Sequence, residues 1–308
     1  MPAVHILALY QFAELPGFAD LQEPLRSLCE EQELQGTLLL AAEGINGTVA
    51  GSRPGLEALL GYLSDELGLN QISVKWSTAE SMPFLRMKVR LKNEIVTMGV
   101  PGTDPLALNG RRVRGPEWNA LLDDPEVLVI DTRNDYEIDV GTFPGAISPH
   151  TEHFREFPSF VKDHLDPQKH RKVAMFCTGG IRCEKATHHL LKSGFAEVYH
   201  LDGGILQYFE DMPREDNRWE GECFVFDGRV SVDKELRPGS YTQCHACRHP
   251  LSPAERNDRR FEAGVSCPHC ADRIDEDKKA RLAERERQMQ LAEARQQRHL
   301  GQKIQRQS

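Results

Sequence analysis

The segment VAMFCTGGIRCEKATHHLLKSG, residues 173–194, starts as a short apolar run, passes through two glycines and becomes a helical pattern. A short apolar run before a helix is typical of a buried parallel strand in an α/β domain. Ligands of such domains bind beyond the carboxyl ends of the strands. Because Cys177 ends the strand, the sequence predicts that its sulfur lies at a ligand site.

The loop after Cys177 has the properties of an anion cradle. Gly179 and Gly180 permit backbone conformations in which successive N–H groups point inward. The N-terminus of the next helix adds partial positive charge, and Arg182 adds a fixed cation. These features favour the thiolate, which is the nucleophilic form of cysteine. An isolated cysteine at a strand end is more often simply buried, but the Gly-Gly-x-Arg context favours the reactive interpretation.

The loop contains a second cysteine, Cys183, with two interpretations. It resolves an oxidised or persulfidated Cys177, as a neighbouring thiol can, or it faces the core from the first helical turn. The predicted active-site loop consists of Thr178, Gly179, Gly180, Ile181, Arg182 and Cys183.

Periodicity outside this loop indicates a mixed α/β chain of several units. The N-terminal pattern reads β-α-β-β-α-β, which predicts a ferredoxin-like α+β sandwich. The central unit, with VLVID and VAMFC as parallel strands, predicts an α/β domain. The predicted units are a ferredoxin-like domain (1–100), a linker partly ordered by Trp118 (101–122), the central domain (123–215), a small Cys-rich extension (216–271) and a charged tail, helical or disordered (272–308).

Composition narrows the class of protein. The chain of 308 residues has no apolar run long enough to cross a membrane, and its first residues lack the features of a signal peptide. We therefore expect a cytoplasmic protein whose eight cysteines are reduced, catalytic or metal-bound. The net charge of −9 argues weakly against a nucleic-acid partner, although a local basic face is compatible with it.

The central domain resembles the rhodanese domains. CTGGIR matches their active-site loop, Cys-x-x-Gly-x-Arg, and VLVIDTRNDYEIDVGTFPGAIS matches their Asp-x-Arg … Glu … Gly … Pro-Gly-Ala signature. Four residues separate Cys177 from Arg182, whereas related phosphatases have five, so the resemblance implies a sulfur-handling loop rather than a phosphatase. Within the signature, we expect Arg133 and Glu137 to form an ion pair that holds the loop after the strand.

The combination of several further blocks resembles a narrower family, the bacterial tRNA uridine hydroxylases (TrhO), from about residue 6 to 271. These blocks are LAAEGINGTVAGS (40–52), SMPFLRMKVRLKNEIVTMG (81–99), GTFPGAISPHTEHFREFPSFV (141–161) and CTGGIRCEKA (177–186). The resemblance implies formation of 5-hydroxyuridine at the wobble position of tRNA, with molecular oxygen as the oxidant and Cys177 as the catalytic residue. No organic cofactor fingerprint is evident.

Two chemical routes to the hydroxylated base stay open. The Cys177 thiolate adds to uridine C6 and activates C5, or an oxidised Cys177 delivers the oxygen. The residues of the loop alone suggest a different activity, persulfide sulfur transfer to a small acceptor. A third hypothesis is a non-catalytic RNA-binding module, against which the intact loop argues.

A row of basic residues is the best candidate for tRNA contact. Lys88, Arg90 and Lys92 alternate along a predicted strand, so they share one face, and Arg86 extends the row. The alternative is an ordinary solvated sheet face. Weaker candidates are Arg111, Arg112 and Arg114 of the linker, His150, His153, Arg155 and Lys185 of the central domain, and Phe84 and Trp76 for base stacking.

The extension carries a metal-site pattern. Cys244, Cys247, Cys267 and Cys270 form two C-x2-C pairs separated by nineteen residues, a spacing typical of four-thiolate zinc sites. Such a closed site is structural, and the alternative is a reduced or disulfide-linked appendage.

Overall fold

The computed structural model of the protein describes residues 4–295; residues 1–3 and the end of the predicted tail, 296–308, lie outside it. The strands are β1 (Val4–Phe12), β2 (Gln35–Ala41), β3 (Gly44–Gly51), β4 (Ser73–Ala79), β5 (Met87–Leu91), β6 (Arg111–Val113), β7 (Val127–Asp131), β8 (Gly141–Thr142), β9 (Lys172–Phe176), β10 (Glu197–Leu201), β11 (Glu220–Gly221), β12 (Cys223–Phe224), β13 (Ser231–Val232), β14 (Thr242–Gln243) and β15 (Pro250–Leu251). The α-helices are α1 (Gln22–Glu31), α2 (Arg53–Asp65), α3 (Gly115–Asp123), α4 (Asp135–Ile138), α5 (Phe157–His164), α6 (Ile181–Lys192), α7 (Gly204–Asp211) and α8 (Glu276–Ala294).

The N-terminal domain is a ferredoxin-like sheet with two helices on one face. Its strand order is β4-β1-β3-β2-β5. Alternate residues of β1, such as Leu7 and Leu9, pack into the core with Leu25 of α1 and Leu59 of α2. The predicted sandwich is confirmed. The other face of the sheet is free of this domain's own helices and is therefore available to the rest of the chain.

The position of the basic strand differs from the prediction. The strand predicted as the last of the β-α-β-β-α-β unit, β5, lies at one edge of the sheet and runs parallel to β2. The fourth ferredoxin-like position, next to β1, is taken by β4. Prediction missed β4 because its sequence, SVKWSTA, is half-buried throughout and has no apolar run.

The second domain contains a four-stranded parallel sheet in the order β6-β10-β9-β7. One apolar core, around Trp118 of α3 and Tyr208 of α7, covers one face of this sheet. A second core, around Phe157 of α5 and Leu190 of α6, covers the other. The predicted α/β domain with a parallel sheet is confirmed.

The predicted domain boundaries need two corrections. The segment 101–122, predicted as a linker, supplies the edge strand β6 and most of α3, because Val113 and Trp118 are fully buried in the second domain. The extension, predicted to begin at residue 216, is at first part of that domain too. Trp219 and Cys223 pack into its core, and β11 pairs with β8. Only the later part forms a core of its own, which includes three of the four predicted metal ligands, Cys244, Cys267 and Cys270.

The predicted tail is helical over Glu276–Ala294, which forms α8. Within residues 4–295, no helix is both long enough and apolar enough to cross a membrane.

Candidate functional site

Cys177 follows the last residue of β9 and is fully buried, at the start of the loop that leads to α6. The Gly180 N–H donates to its Sγ at 3.1 Å. Gly180 has a φ of 96°, a left-handed conformation that favours glycine, and the Tyr10 hydroxyl oxygen would lie 3.0 Å from an added Cβ. The loop therefore forms the predicted cradle, and it depends on glycine at this position.

The cradle stabilises the negative charge on sulfur. Burial by itself raises the pKa of the Cys177 thiol, but a hydrogen bond from Cys183, the Arg182 charge and the N–H groups of residues 182 and 183 outweigh it and lower the pKa to about 6. Burial and the neighbouring Cys177 charge raise the pKa of the Cys183 thiol, so Cys183 keeps its proton. It also lies 3.6 Å from the Thr132 hydroxyl in the core. Cys183 thus faces the core and is close enough to Cys177 for each thiol to shift the pKa of the other.

The buried ion pairs around the loop differ from the prediction. Arg133 does not pair with the Glu137 carboxylate. Its Nε and Nη2 donate to Asp131 at 2.9 and 2.6 Å, and its Nη1 donates to the Glu137 carbonyl oxygen at 3.2 Å. The Glu137 carboxylate instead accepts two bonds from Arg182, at 2.6 and 2.7 Å. Glu137 was expected to hold the loop after β7 through Arg133. It instead holds the cysteine loop, through Arg182.

The N-terminal domain reaches the same loop through Tyr10. Its hydroxyl donates to Glu184 of α6 at 2.8 Å. Burial, followed by the Glu184 charge, raises the pKa of Tyr10, and Cys177 is close enough to contribute to that increase. The two domains therefore meet directly over the cradle.

Lys185 joins the domains and is not available to a substrate, contrary to the prediction. Its side chain is 1% exposed, and its Nζ lies 2.6 Å from Glu94 and 2.8 Å from Glu43, both of the N-terminal domain. A helix following the cradle thus supplies a buried cation that pairs with two carboxylates across the interface.

A cavity of about 610 Å³ lies between the open face of the N-terminal sheet and the cysteine loop. Its sheet side includes Ala8, Tyr10, Thr37, Leu39, Asn46 and Thr48. Its loop side includes Cys177, Thr178, Gly179, Ile181 and Arg182. A third side comes from the extension and includes Val225, Phe226, Asp227 and Arg229. The volume is typical of a small-molecule or single-nucleotide site.

The basic strand adjoins this cavity. Lys88 and Arg90 of β5 are opposite Thr37 and Leu39 of β2, two residues of the cavity wall, and paired residues of neighbouring strands point to the same face. Lys92 lines the cavity itself. Among residues 4–295, none of these three side chains has an ion-pair partner. Burial and the charges of Arg86, Arg90 and Arg248 lower the pKa of Lys88, which indicates a concentration of positive charge.

The other charged residues and the histidines that were predicted as substrate contacts are not part of the cavity wall. The three linker arginines have acidic partners: Arg111 pairs with Glu117, Arg112 with Glu184 at 3.1 Å and Arg114 with Asp202 at 2.8 Å. His150, His153 and Arg155 are exposed on the loop before α5. Both aromatic candidates, Phe84 and Trp76, line the cavity, and Trp76 also lies under the Arg53 guanidinium. The β5 residues, Phe84 and Trp76 are therefore the predicted contacts that adjoin the cavity.

The extension side of the cavity was not predicted. Phe226 is 57% exposed, and its ring centre lies 5.9 Å from the Arg182 guanidinium carbon. The Asp227-Gly228-Arg229 sequence repeats the Asp-x-Arg pattern of residues 131–133, which is the one signal that could have drawn attention to it.

Two family models match the chain. A UPF0176 acylphosphatase-like domain matches residues 4–95, and a rhodanese-like domain matches residues 116–211. The chain has the domain architecture of the UPF0176 (TrhO) family. The predicted family is thereby confirmed, and a rhodanese domain suggests an enzyme with a catalytic cysteine.

Solved structures resemble the UPF0176 chain one domain at a time. An acylphosphatase from Coxiella burnetii is 18% identical, covers 29% of this chain and 94% of its own, and has a TM-score of 0.23. A rhodanese-like domain from Anabaena sp. is 18% identical, covers 36% of this chain and 78% of its own, and has a TM-score of 0.30. A rhodanese-related protein from Thermoplasma volcanium is 20% identical, covers 33% and 95% of the two chains, and has a TM-score of 0.26.

The four cysteines of the UPF0176 chain's extension converge on one point. The sulfurs of Cys244, Cys247, Cys267 and Cys270 all lie within 4.8 Å of one another. Three of the separations are 3.9, 3.7 and 3.7 Å. A tetrahedral zinc with Zn–S bonds of about 2.3 Å requires sulfurs about 3.8 Å apart. The donor set therefore fits a zinc ion held by four thiolates.

Proposed function

We propose that this protein is an enzyme that hydroxylates the wobble uridine of tRNA at C5, with molecular oxygen as co-substrate and Cys177 as the catalytic residue. The observation that carries the proposal is the position of the Cys177 sulfur, in an anion cradle at the base of a cavity roofed by the other domain. The sequence resemblance to the tRNA uridine hydroxylases suggests the substrate and the reaction, and the domain architecture is consistent with both. Because the substrate is tRNA, we place the reaction in the cytoplasm.

The depth of Cys177 supports an RNA substrate with an unpaired base. The sulfur is fully buried, so only a group inserted into the cavity reaches it. Bases in anticodon loops are single-stranded and can be turned out of the stack at low cost. A cavity of about 610 Å³ accommodates one such nucleotide. The unpaired cations of β5, on the same face of the sheet, lie where they can hold the phosphates that flank it.

The chain's own residues supply a nucleophile in the correct ionisation state. The lowered pKa, to which the neighbouring Cys183 thiol contributes, keeps Cys177 largely as thiolate near neutral pH. Both routes stated above, addition to uridine C6 and oxygen delivery by an oxidised sulfur, begin from this thiolate. Each places one atom of O₂ in the base, and a thiol reductant from solution supplies the two electrons that convert the other atom to water. No organic cofactor is part of the proposal.

Nucleoside mass spectrometry of tRNA tests the proposal. Cells that lack this protein should lose 5-hydroxyuridine, and expression of the wild-type chain should restore it, whereas expression of folded Cys177→Ser should not. Unchanged 5-hydroxyuridine in the deletion strain would reject the proposal. A purified enzyme supplied with ¹⁸O₂ should place the label in the product base.

Persulfide sulfur transfer is the second candidate, because a cradle that stabilises a thiolate also stabilises a Cys177 persulfide. Rhodanese activity with thiosulfate, unaffected by removal of the β5 charges and accompanied by no change in tRNA nucleosides, would favour it. Loss of 5-hydroxyuridine in the deletion strain would favour hydroxylation.

A further inference from the structure

The chain contains three Asp-x-Arg units with the same local geometry. In each, the arginine Nε donates to one carboxylate oxygen and Nη2 donates to the other. The pairs are Asp131 with Arg133, Asp227 with Arg229, and Asp258 with Arg260. This arrangement uses one edge of the guanidinium and leaves the two N–H groups of Nη1 to find another acceptor.

Among the described residues, Arg229, which lines the cavity, is the one arginine of these three pairs with a buried Nη1 that lacks an acceptor. In Arg133 the Nη1 donates to the Glu137 carbonyl oxygen at 3.2 Å. Arg260 is 41% exposed, so water can reach it. The Arg229 side chain is only 8% exposed, and its Nη1 has no hydrogen-bond partner. A buried polar group left without a partner costs about 1–3 kcal/mol, so its retention requires an explanation.

The surroundings of Arg229 indicate what the missing partner is. The residue lines the cavity above Cys177. Its neighbour Phe226 exposes an aromatic face on the Arg182 side of the same cavity. The Asp227 carboxylate already balances the guanidinium charge, so an uncharged acceptor suffices for Nη1. The Phe226 ring can stack on a planar ring, and the charge-balanced Arg229 Nη1 can donate to a carbonyl oxygen on that ring.

The segment that presents these groups is fixed in place. The Gly228 N–H donates to the Pro83 carbonyl oxygen at 3.1 Å, and an added Cβ at Gly228 would lie 2.8 Å from that oxygen. The segment 225–229 is thus attached to the N-terminal domain next to Phe84. Its side chains therefore keep a defined position relative to the cysteine loop.

We infer that segment 225–229 recognises the target base: Phe226 stacks on the pyrimidine, and Arg229 Nη1 donates to one of its carbonyl oxygens. The inference rests on the proposed function and specifies which residues outside the two family domains position the base. Arg229 and Phe226 are positioning and specificity residues in this scheme, and Cys177 performs the chemistry.

The test compares RNA binding by Arg229→Gln and Phe226→Leu with binding by a matched control, Arg260→Gln, which removes the same type of pair on the surface. The probes are a wobble-uridine anticodon stem-loop and the same RNA with an abasic wobble position, each measured in the full chain with Cys177→Ser to prevent turnover. We expect Arg229→Gln to weaken binding of the uridine RNA by about tenfold or more, as for a lost charge-assisted bond, with Phe226→Leu also weaker and Arg260→Gln unchanged. In the active enzyme the same losses should appear in KM more than in kcat.

The abasic RNA distinguishes a contact between Arg229 and the base from a contact between Arg229 and the RNA backbone. If Arg229 binds the base, Arg229→Gln and its parent should bind the abasic RNA equally. A loss that persists with the abasic RNA would assign Arg229 to the RNA backbone and overturn the inference, as would wild-type affinity of both variants for the uridine RNA. Phe226→Leu, at an exposed position, keeps the test decisive if Arg229→Gln does not fold. Wild-type protein that neither binds nor modifies the RNA would reject the proposed function itself, whereas modification that is insensitive to these variants would reject only the role of the segment.

Discussion

The ionisation of Cys177 involves a second sulfur, that of Cys183. The sequence alone left the role of Cys183 open. The strand-end position of Cys177, the cradle and the nearby Arg182 were all predictable, because the motif fixes them locally. The partners of Arg133 and Glu137 were not. The i,i+4 spacing of these two residues suggested a local pair, whereas Glu137 binds Arg182, a residue 45 positions away. The sequence left Cys183 between two roles, and its effect on the pKa of Cys177 suggests a third, as a proton donor to the thiolate.

The pH dependence of Cys177 alkylation should reveal this donor. The thiolate is the reactive form, so the rate should rise with pH through a midpoint near the pKa of about 6. In Cys183→Ala the thiolate loses a donor, and the midpoint should move to higher pH, while Cys183→Ser retains a donor and should stay closer to wild type. The measurement is iodoacetamide modification of the Cys177 peptide by mass spectrometry. An unchanged midpoint in Cys183→Ala would restrict Cys183 to packing.

At the scale of elements, the alternation of β5 was readable from the sequence, but its place in the sheet was not. A strand's neighbours depend on long-range pairing, and a parallel edge position beside β2 has no local signature. That position is what brings Lys88 and Arg90 beside the cavity. The linker arginines, equally basic in sequence, pair with acidic residues of the second domain instead.

Charge reversal on β5 should weaken tRNA binding. In Lys88→Glu/Arg90→Glu, the loss of two phosphate contacts should lower the salt slope by about two units and raise KM with little effect on Cys177 alkylation. Affinity measured across a salt series provides the test. The matched control is Lys162→Glu/Lys192→Glu, which changes net charge equally at exposed positions of α5 and α6. Equal affinity of the two double variants would mean that β5 is an ordinary solvated edge.

The cysteine cluster should hold about one zinc per chain. The four sulfurs lie within 4.8 Å of one another, and three of their separations match a tetrahedral site, so binding needs little rearrangement. Elemental analysis should find zinc in freshly reduced wild-type protein and in Cys29→Ala, which removes a buried cysteine elsewhere, but not in Cys247→Ser. Chelation should increase hydrogen exchange around residues 242–274 and leave the parallel sheet protected. Metal-free wild-type protein from zinc-supplemented cells would contradict this prediction.

At the scale of the whole molecule, the interface between the domains combines buried polar contacts with an apolar cluster in which Ile181 packs near Phe12 and Ile95. Lys185 connects α6 to two carboxylates of the N-terminal domain, and Tyr10 connects β1 to Glu184 on the same helix. The sequence indicated two domains but gave no sign of this contact. Each partner is an ordinary charged or polar residue until the fold brings them together, which is why Lys185 was taken for a substrate contact.

Breaking this connection should destabilise the assembled protein. Lys185→Met leaves Glu43 and Glu94 without their shared cation, and loss of one partner from a buried ion pair costs about 3–5 kcal/mol. We expect a lower Tm and weaker RNA binding, measured by calorimetry and titration. Lys192→Met, at an exposed position of the same helix, should match wild type in both. A Lys185→Met protein with wild-type Tm would show that the domains are held together by other contacts.

The residues that line the cavity begin in the chain with Ile6 and end with Leu236, so most of the described chain must exist before the pocket is complete. A ribosome translating this message releases the N-terminal sheet first, then the thiol loop, and last the segment that carries Phe226. If the protein acts on tRNA as proposed, a nascent chain cannot hold a base against the sulfur until synthesis has passed residue 236. Prematurely terminated products would carry the Cys177 loop without the segment that completes the cavity around it.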